Sequence, residues 1–400
     1  MLAFADRLSN VQVSASMAMT DLARELVEAG QQVIGLSSGE PDFPTPHHVI
    51  EAAYKAALGG DTKYTAQNGT PALKSAIQRK FLRENRLDYA LDEIIVGNGG
   101  RQVVFNAIMA TCNAGDEVLI PSPAWISYAD MTKLACATPV PVSCPQNNGF
   151  RLRPEALEAA ITPRTKWLLL NFPNNPTGTA CPREDLAAIA EVMLRHPGIW
   201  ILTDDIYEHL LYDDFVFGTI AEVAPALKDR VLTMNGVSKA YAMTGWRIGY
   251  AGGPKRLIAA MGNVQGQATG SVCNLAQAGA VAALDGPQDG LAERAAIYRE
   301  RRDAVLGWLR GIDGLTCHTP TGAFYVFPNI AGCLGKQTRR GRRIDTDTDF
   351  VTALLTEKQV ATVQGAAYGM SPYIRISYAT SMEKLREGCG RIAEFCHELR

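Results

Sequence analysis

Short apolar, β-prone runs alternate with longer helical patterns across most of this sequence. "DEIIVGNGG" precedes "RQVVFNAIMATC", and "DEVLIPS" precedes a helical stretch from Ile126, with a further apolar run at Pro139. "TKWLLLNFPNNPTG" leads into "PREDLAAIAEVMLRH", and "GIWILTDDIYEHLLY" and "RVLTMNGVSKAYAMTGW" follow. Strands that are apolar throughout are covered on both faces, and with helices between them they predict a mostly parallel α/β sheet. After about residue 290 the pattern changes to a charged helix, "LAERAAIYRERRDAVLGWLRG", then to hairpin-like "GAFYVFP" and "YIRISYA". That region reads as a smaller α+β lobe, joined by the N-terminal segment up to about His47. A chain of 400 residues exceeds what one core usually covers, so two lobes are expected.

Composition removes several classes of function. Formal net charge is -2, which gives no electrostatic case for a nucleic acid or an anionic membrane. The one basic cluster, Arg339, Arg340, Arg342 and Arg343 in "GKQTRRGRRID", reads as a solvated surface loop. Nine cysteines form no C-x-x-C pair and six histidines show no metal-ligand spacing, so no metal is expected, and a reducing cytoplasm fits. Asp6 and Arg7 stand where a signal peptide would be apolar, and no apolar run approaches the about 18 residues of a membrane span.

In open α/β sheets, ligands sit beyond the carboxyl ends of the strands. Gly99, Gly100, Trp125, Asn175, Asp204, Tyr207 and Lys239 all fall at such ends. Lys239 lies among Val237, Ser238, Tyr241 and Met243, where an ammonium is poorly solvated. Desolvation there frees a neutral amine that can attack a carbonyl. Asp204 follows a buried strand and is costly unless paired. Either it or Asp205 caps the next helix, or it joins Tyr207 and Asn175 in a pocket. "VGNGGRQVVFNAI" is a glycine turn opening a helix, whose free N–H groups bind phosphate. It departs from G-x-G-x-x-G, which argues against a nicotinamide dehydrogenase. Arg247 can clamp the same phosphate, and Trp125 is either a core residue or a stacking face for a flat ring. An amine, a carboxylate, a phenol, an indole and a phosphate cup together match pyridoxal 5'-phosphate. The lysine forms a Schiff base with its aldehyde, and the carboxylate keeps the ring nitrogen protonated. Arg375 lies in an apolar strand, where a buried arginine needs an anion, and a substrate carboxylate is one candidate.

With these pieces assembled, the chain resembles a fold-type-I, class I aminotransferase of the bacterial aspartate branch. "SSGEPDFPTP", "TKYTAQNGTPALKSAI", "NFPNNPTG", "DDIYEHL", "SKAYAMTGWRIGY", "GAFYVF" and "YIRISYATS" carry the resemblance from about residue 10 to the C-terminus. It implies a large domain, residues 49–290, with a mostly parallel seven-stranded sheet flanked by helices, and a smaller α+β domain of 1–48 with 291–400. It implies that Lys239 holds the cofactor and shuttles a proton, and that Asp204 pairs with the ring nitrogen. Tyr207 and Asn175 would bond the ring hydroxyl, and Trp125 would stack on the ring. Gly100, Arg101, Ser238 and Arg247 would hold the phosphate, with Tyr64 reaching the phosphate of a neighbouring subunit in a homodimer. Arg375 would grip the substrate α-carboxylate, helped by Asn175, Trp125 and the backbone at Gly39. Arg101 stands where thermophilic relatives place a lysine proposed to read a distal carboxylate, which implies aspartate as donor and 2-oxoglutarate as acceptor. Gly236 stands where many relatives have a phosphate-binding serine, and Gln12 replaces a lysine of relatives that also transaminate prephenate.

Neighbouring expectations are an aromatic, methionine or alanine-type aminotransferase, a prephenate aminotransferase, and, from another class, a C–S lyase using the same cofactor. A cofactor-sensing regulator needs an N-terminal DNA-binding domain, and "GEPDF" begins too early in this sequence to leave room for one.

Overall fold

The computed structural model describes residues 4–11 and 15–400. Its strands are β1 (Ile34–Gly35), β2 (Ile94–Asn98), β3 (Glu117–Ser122), β4 (Thr138–Ser143), β5 (Thr165–Asn171) and β6 (Trp200–Asp204). Then come β7 (Val231–Gly236), β8 (Ile248–Gly252), β9 (Tyr325–Val326), β10 (Val360–Ala361), β11 (Val363–Gln364) and β12 (Ile374–Ser377). Seven of them form one sheet in the order β2-β8-β7-β6-β5-β3-β4. Only the pairings of β8 are antiparallel, so six strands deliver their carboxyl ends to the same edge.

Neighbouring residues of these strands feed opposite cores, which is why the runs are apolar throughout. Ile94, Val96, Leu168, Leu170, Ile201 and Val231 belong to one core. Ile95, Trp167, Leu169, Leu202 and Leu232 belong to another. Helix Pro71–Asn85 contributes Leu73, Ile77 and Phe81 to the first face, and helix Gly100–Thr111 contributes Val103, Val104, Ala107 and Ile108 to the second. β4, with Pro139 and Pro141, sits at the sheet edge, where a missing N–H does least harm.

The remaining strands build a separate, smaller structure. β11, β12 and β9 form an antiparallel three-stranded sheet, and β1 pairs parallel with β10. "GAFYVFP" and "YIRISYA" are therefore not two hairpins: Ile376 pairs with Val326 and Ser377 with Tyr325, across an intervening helix. That helix, Asp347–Lys358, is started by a capping box between Thr346 and Asp349. Leu36, Tyr298, Phe324, Phe350, Ile374 and Leu385 share the core of this part. Helix Asp289–Leu309 crosses from one core to the other, with Leu291 packed against the first and Val305, Leu306 and Leu309 in the second. The four clustered arginines are exposed on a turn after Thr338. Among the described residues no helix is long and apolar enough to cross a membrane.

Candidate active site

The site begins where β2 turns into helix Gly100–Thr111. Gly99 takes φ 85 and caps the helix with no side chain, leaving its first N–H groups open. A Cβ on Gly99 would stand 2.4 Å from Arg247 Nη2, and one on Gly249 would stand 2.2 Å from Gly100 N. Glycine at both positions is what lets β8 and Arg247 close on the helix N-terminus. Arg247 Nη1 donates to the Thr244 carbonyl at 2.8 Å and Nη2 to the Asn98 carbonyl at 3.2 Å. Gly236, the departure from the serine of many relatives, has a local cause. A Cβ there would meet Ile206 Cδ1 and the Ile248 carbonyl at 3.0 Å, so glycine relieves a tight approach of β8 and the turn after β6.

The ends of β6 and β7 supply an acid and an amine. Asp204 is buried; its Oδ2 accepts from the Tyr128 hydroxyl at 2.5 Å and its Oδ1 from the Ile206 N–H at 3.2 Å. Burial pushes its carboxyl up to about 6, and those two donors restrain the rise. No helix follows β6 directly, so neither acid caps one: residues 206–209 form a turn that the Asp204 carboxylate anchors through the Ile206 N–H while facing the cleft. Asp205 faces elsewhere and accepts from the Thr203 hydroxyl at 2.6 Å. Lys239 Nζ donates to the Gly39 carbonyl at 2.5 Å. Enclosure brings its amine down to about 8, with Arg375 and Arg247 pushing the same way and Glu40 and Asp204 opposing.

The third part of the site comes from the smaller sheet. Arg375 Nη1 donates to Asn175 Oδ1 at 3.1 Å and Nη2 to the Ser37 carbonyl. Its guanidinium lies 4.5 Å from the Tyr325 ring centre and 5.2 Å from that of Tyr368. The Tyr207 and Tyr325 hydroxyls are 2.9 Å apart. Arg101 covers the Trp125 ring at 4.9 Å, and burial together with the charge of Arg247 pushes its guanidinium down.

Of the cofactor- and substrate-binding positions that the resemblance implies, all but Tyr64 line one cleft of about 880 Å³. Gly39 enters from the N-terminal segment, Gly100 and Arg101 after β2, Trp125 after β3, and Asn175 after β5. Asp204 and Tyr207 follow along β6, Ser238 and Lys239 follow β7, Arg247 precedes β8, and Arg375 lies in β12. Tyr64 is fully exposed and stands outside it, and Gln12 lies outside the described residues. Sequence reasoning missed Tyr128, three residues after Trp125, and also Glu40, Tyr325 and Tyr368. It also missed Glu84, Glu208 and His209, whose ligand atoms lie within 4.8 Å of one another because a distant helix supplies Glu84. The buried Lys80 ammonium already lies against both carboxylates.

The charge balance of the cleft says what fits it. Arg101, Lys239, Arg247 and Arg375 face Glu40 and Asp204, and none of the four cations forms a carboxylate ion pair among the described residues. A cationic surplus beside an uncapped helix N-terminus suits a phosphate, and a guanidinium between aromatic rings suits a carboxylate. With an amine held toward neutrality and an acid beside it, the donor set fits pyridoxal 5'-phosphate and an amino acid.

Comparison with known proteins gives the same picture. The family model "Aminotransferase class I and II" matches residues 31–392. An aspartate/prephenate aminotransferase of Cereibacter sphaeroides is 55% identical, over 98% of this chain and 98% of its own. An aspartate aminotransferase of Rhizobium meliloti is 54% identical, over 99% and 96%. A crystal structure of the Rhizobium meliloti aspartate aminotransferase matches 100% of both chains with a TM-score of 0.97 at 53% identity. The Thermus thermophilus aspartate aminotransferase with maleate gives 0.92 at 40% identity, over 99% of this chain and 100% of that one.

Proposed function

Because this chain belongs to the class I and II aminotransferases, enzymes that depend on pyridoxal 5'-phosphate, we propose that it moves the amino group of L-aspartate to 2-oxoglutarate. The observation that carries the reading is the Lys239 amine, held down to about 8 in a cleft shared with Asp204, Arg247 and Arg375. When bound, the cofactor supplies an aldehyde and an electron-withdrawing ring that stabilises negative charge at the substrate Cα.

The residues do the rest. Lys239 would offer the neutral amine that holds the cofactor and, when free, would take up and return the proton at the substrate Cα. Asp204 is ionised above about pH 6 and holds the ring nitrogen protonated. Tyr207 and Asn175 bond the ring hydroxyl, and Trp125 covers the ring. Gly100, the Arg101 backbone, Ser238 and Arg247 take the phosphate. Arg375 takes the α-carboxylate with Asn175 and the Gly39 backbone, and the Arg101 side chain takes the distal carboxylate. Tyr64 reaches the phosphate of a second copy, so the active form is a homodimer, and we place it in the cytoplasm. The cofactor lobe is 49–290 and the smaller lobe 1–48 with 291–400, a division supported by the separate cores.

Aspartate as donor is supported by the unpaired Arg101 in the cleft, by the relatives' activities, and by a neighbour solved with maleate, a dicarboxylate. A second reading, prephenate as an additional substrate, is favoured by the double activity of the Cereibacter sphaeroides relative. Bleaching of the cofactor absorbance with each amino acid in turn tests the first, and return of that absorbance when prephenate, an oxo acid, is added to the bleached enzyme tests the second. In Arg101→Met the preference for aspartate over phenylalanine should fall about tenfold or more, the scale of one pocket contact. An unchanged ratio would remove Arg101 from substrate recognition, and release of the amino group as ammonia together with a thiol, in place of its retention on the cofactor, would make the chain a lyase.

A further inference from the structure

Some buried side-chain polar atoms among the described residues lack a hydrogen-bond partner, and two of these belong to residues lining the cleft. They are the Tyr368 hydroxyl and Arg375 Nε. The two side chains are neighbours, with the Arg375 guanidinium 5.2 Å from the Tyr368 ring centre. We infer that Tyr368 is a further substrate-binding residue, which donates its hydroxyl to the α-carboxylate that Arg375 holds. The inference deepens the aminotransferase reading and rests on it.

The stranded hydroxyl is not the product of a loose loop. Tyr368 closes the short helical turn Gly365–Tyr368 and is 3% exposed. Its carbonyl accepts from the Ala124 N–H at 3.0 Å, and its ring packs edge-on against Phe327. Asp347 Oδ2 pins the same turn by accepting from the Ala366 N–H at 2.9 Å and the Ser371 hydroxyl at 2.7 Å. The ring therefore has a fixed seat that phenylalanine would fill equally well. A buried hydroxyl without a partner is costly, and only an added acceptor removes that cost. Burial pushes the phenol up to about 12, so it remains a proton donor through the neutral range. Arg375 Nε is a donor as well. Two donors on neighbouring side chains, both without an acceptor, call for an anion with more than one oxygen, and a carboxylate supplies it.

The test is Tyr368→Phe in the cofactor-loaded enzyme, which keeps the ring and its packing. The aspartate KM and the dissociation constant of maleate, followed by titration of the cofactor absorbance, should both rise about tenfold. The dissociation constant of the cofactor should move less than twofold, and the melting temperature should hold or rise because no hydroxyl is left stranded. A lower melting temperature with unaltered maleate affinity would make the hydroxyl structural and overturn the inference. So would equal KM and equal maleate affinity. If the wild-type enzyme ignores aspartate, it is the aspartate reading that fails. The same comparison then decides the role of Tyr368 with whichever amino acid bleaches the cofactor, since every one carries the α-carboxylate.

Discussion

Lys239 shows how one side chain acquires its chemistry from enclosure. Its amine, depressed from 10.5 to about 8, is neutral at a pH where an exposed lysine is charged. In the cofactor-free protein the unfolded chain holds more protons than the folded one between those values. Stability therefore rises with pH across that window. Uptake of pyridoxal 5'-phosphate by the cofactor-free protein should accelerate about tenfold per unit up to about pH 8 and then level off, in stopped-flow absorbance. A rate still climbing toward pH 10.5 would mean that enclosure does not tune the amine. Arg247 and Arg375 were legible because their immediate neighbours in sequence are apolar, which makes a charge conspicuous, and Asp204 and Lys239 because each comes at the end of a mostly apolar strand run. Tyr128 and Tyr368 were not, because a tyrosine becomes informative only once a distant partner, Asp204 or Arg375, is set beside it.

One level up, a single turn fixes the site. Residues 205–209 join Asp204 and Tyr207, and Glu208 within that turn accepts from Lys80, from Asn85 Nδ2 at 2.7 Å and from Asn235 Nδ2 at 2.6 Å. These donors belong to helix Pro71–Asn85 and to β7, the strand that leads to Lys239. Glu208→Ala leaves buried Lys80 with only Glu84 at 3.5 Å and Asn85 Oδ1 at 2.7 Å, strands the Asn85 and Asn235 amides, and should cost about 3 kcal/mol in urea unfolding of the cofactor-free protein. A loss below about 1 kcal/mol would mean that water replaces the carboxylate. The elements were read unevenly, for physical reasons. β2, β3, β5, β6 and β7 announce themselves because both faces are buried. β1, β9, β10 and β11 are two residues each and are held by non-local pairing that no local pattern encodes. The hairpin expectation failed on the same ground.

At the scale of the whole molecule, the cleft draws on both cores, with the proposed phosphate and ring contacts from the seven-stranded sheet and the proposed carboxylate clamp from β12. The proposed homodimer adds Tyr64, which is fully exposed in the single chain. It lies just after helix His47–Leu58, whose Ile50, Tyr54 and Leu58 are exposed as well. An exposed apolar helix face of this kind marks an interaction surface. Sedimentation equilibrium should give twice the chain mass of 43.2 kDa, and a fully active species of 43.2 kDa would exclude shared sites. The central claim is that one lysine carries the cofactor. Borohydride reduction of the loaded protein, followed by peptide mass spectrometry, tests it most directly. A phosphopyridoxyl mass on the peptide containing Lys239 is the predicted result. The same mass on another lysine, or on none, in protein that retained its cofactor would contradict it.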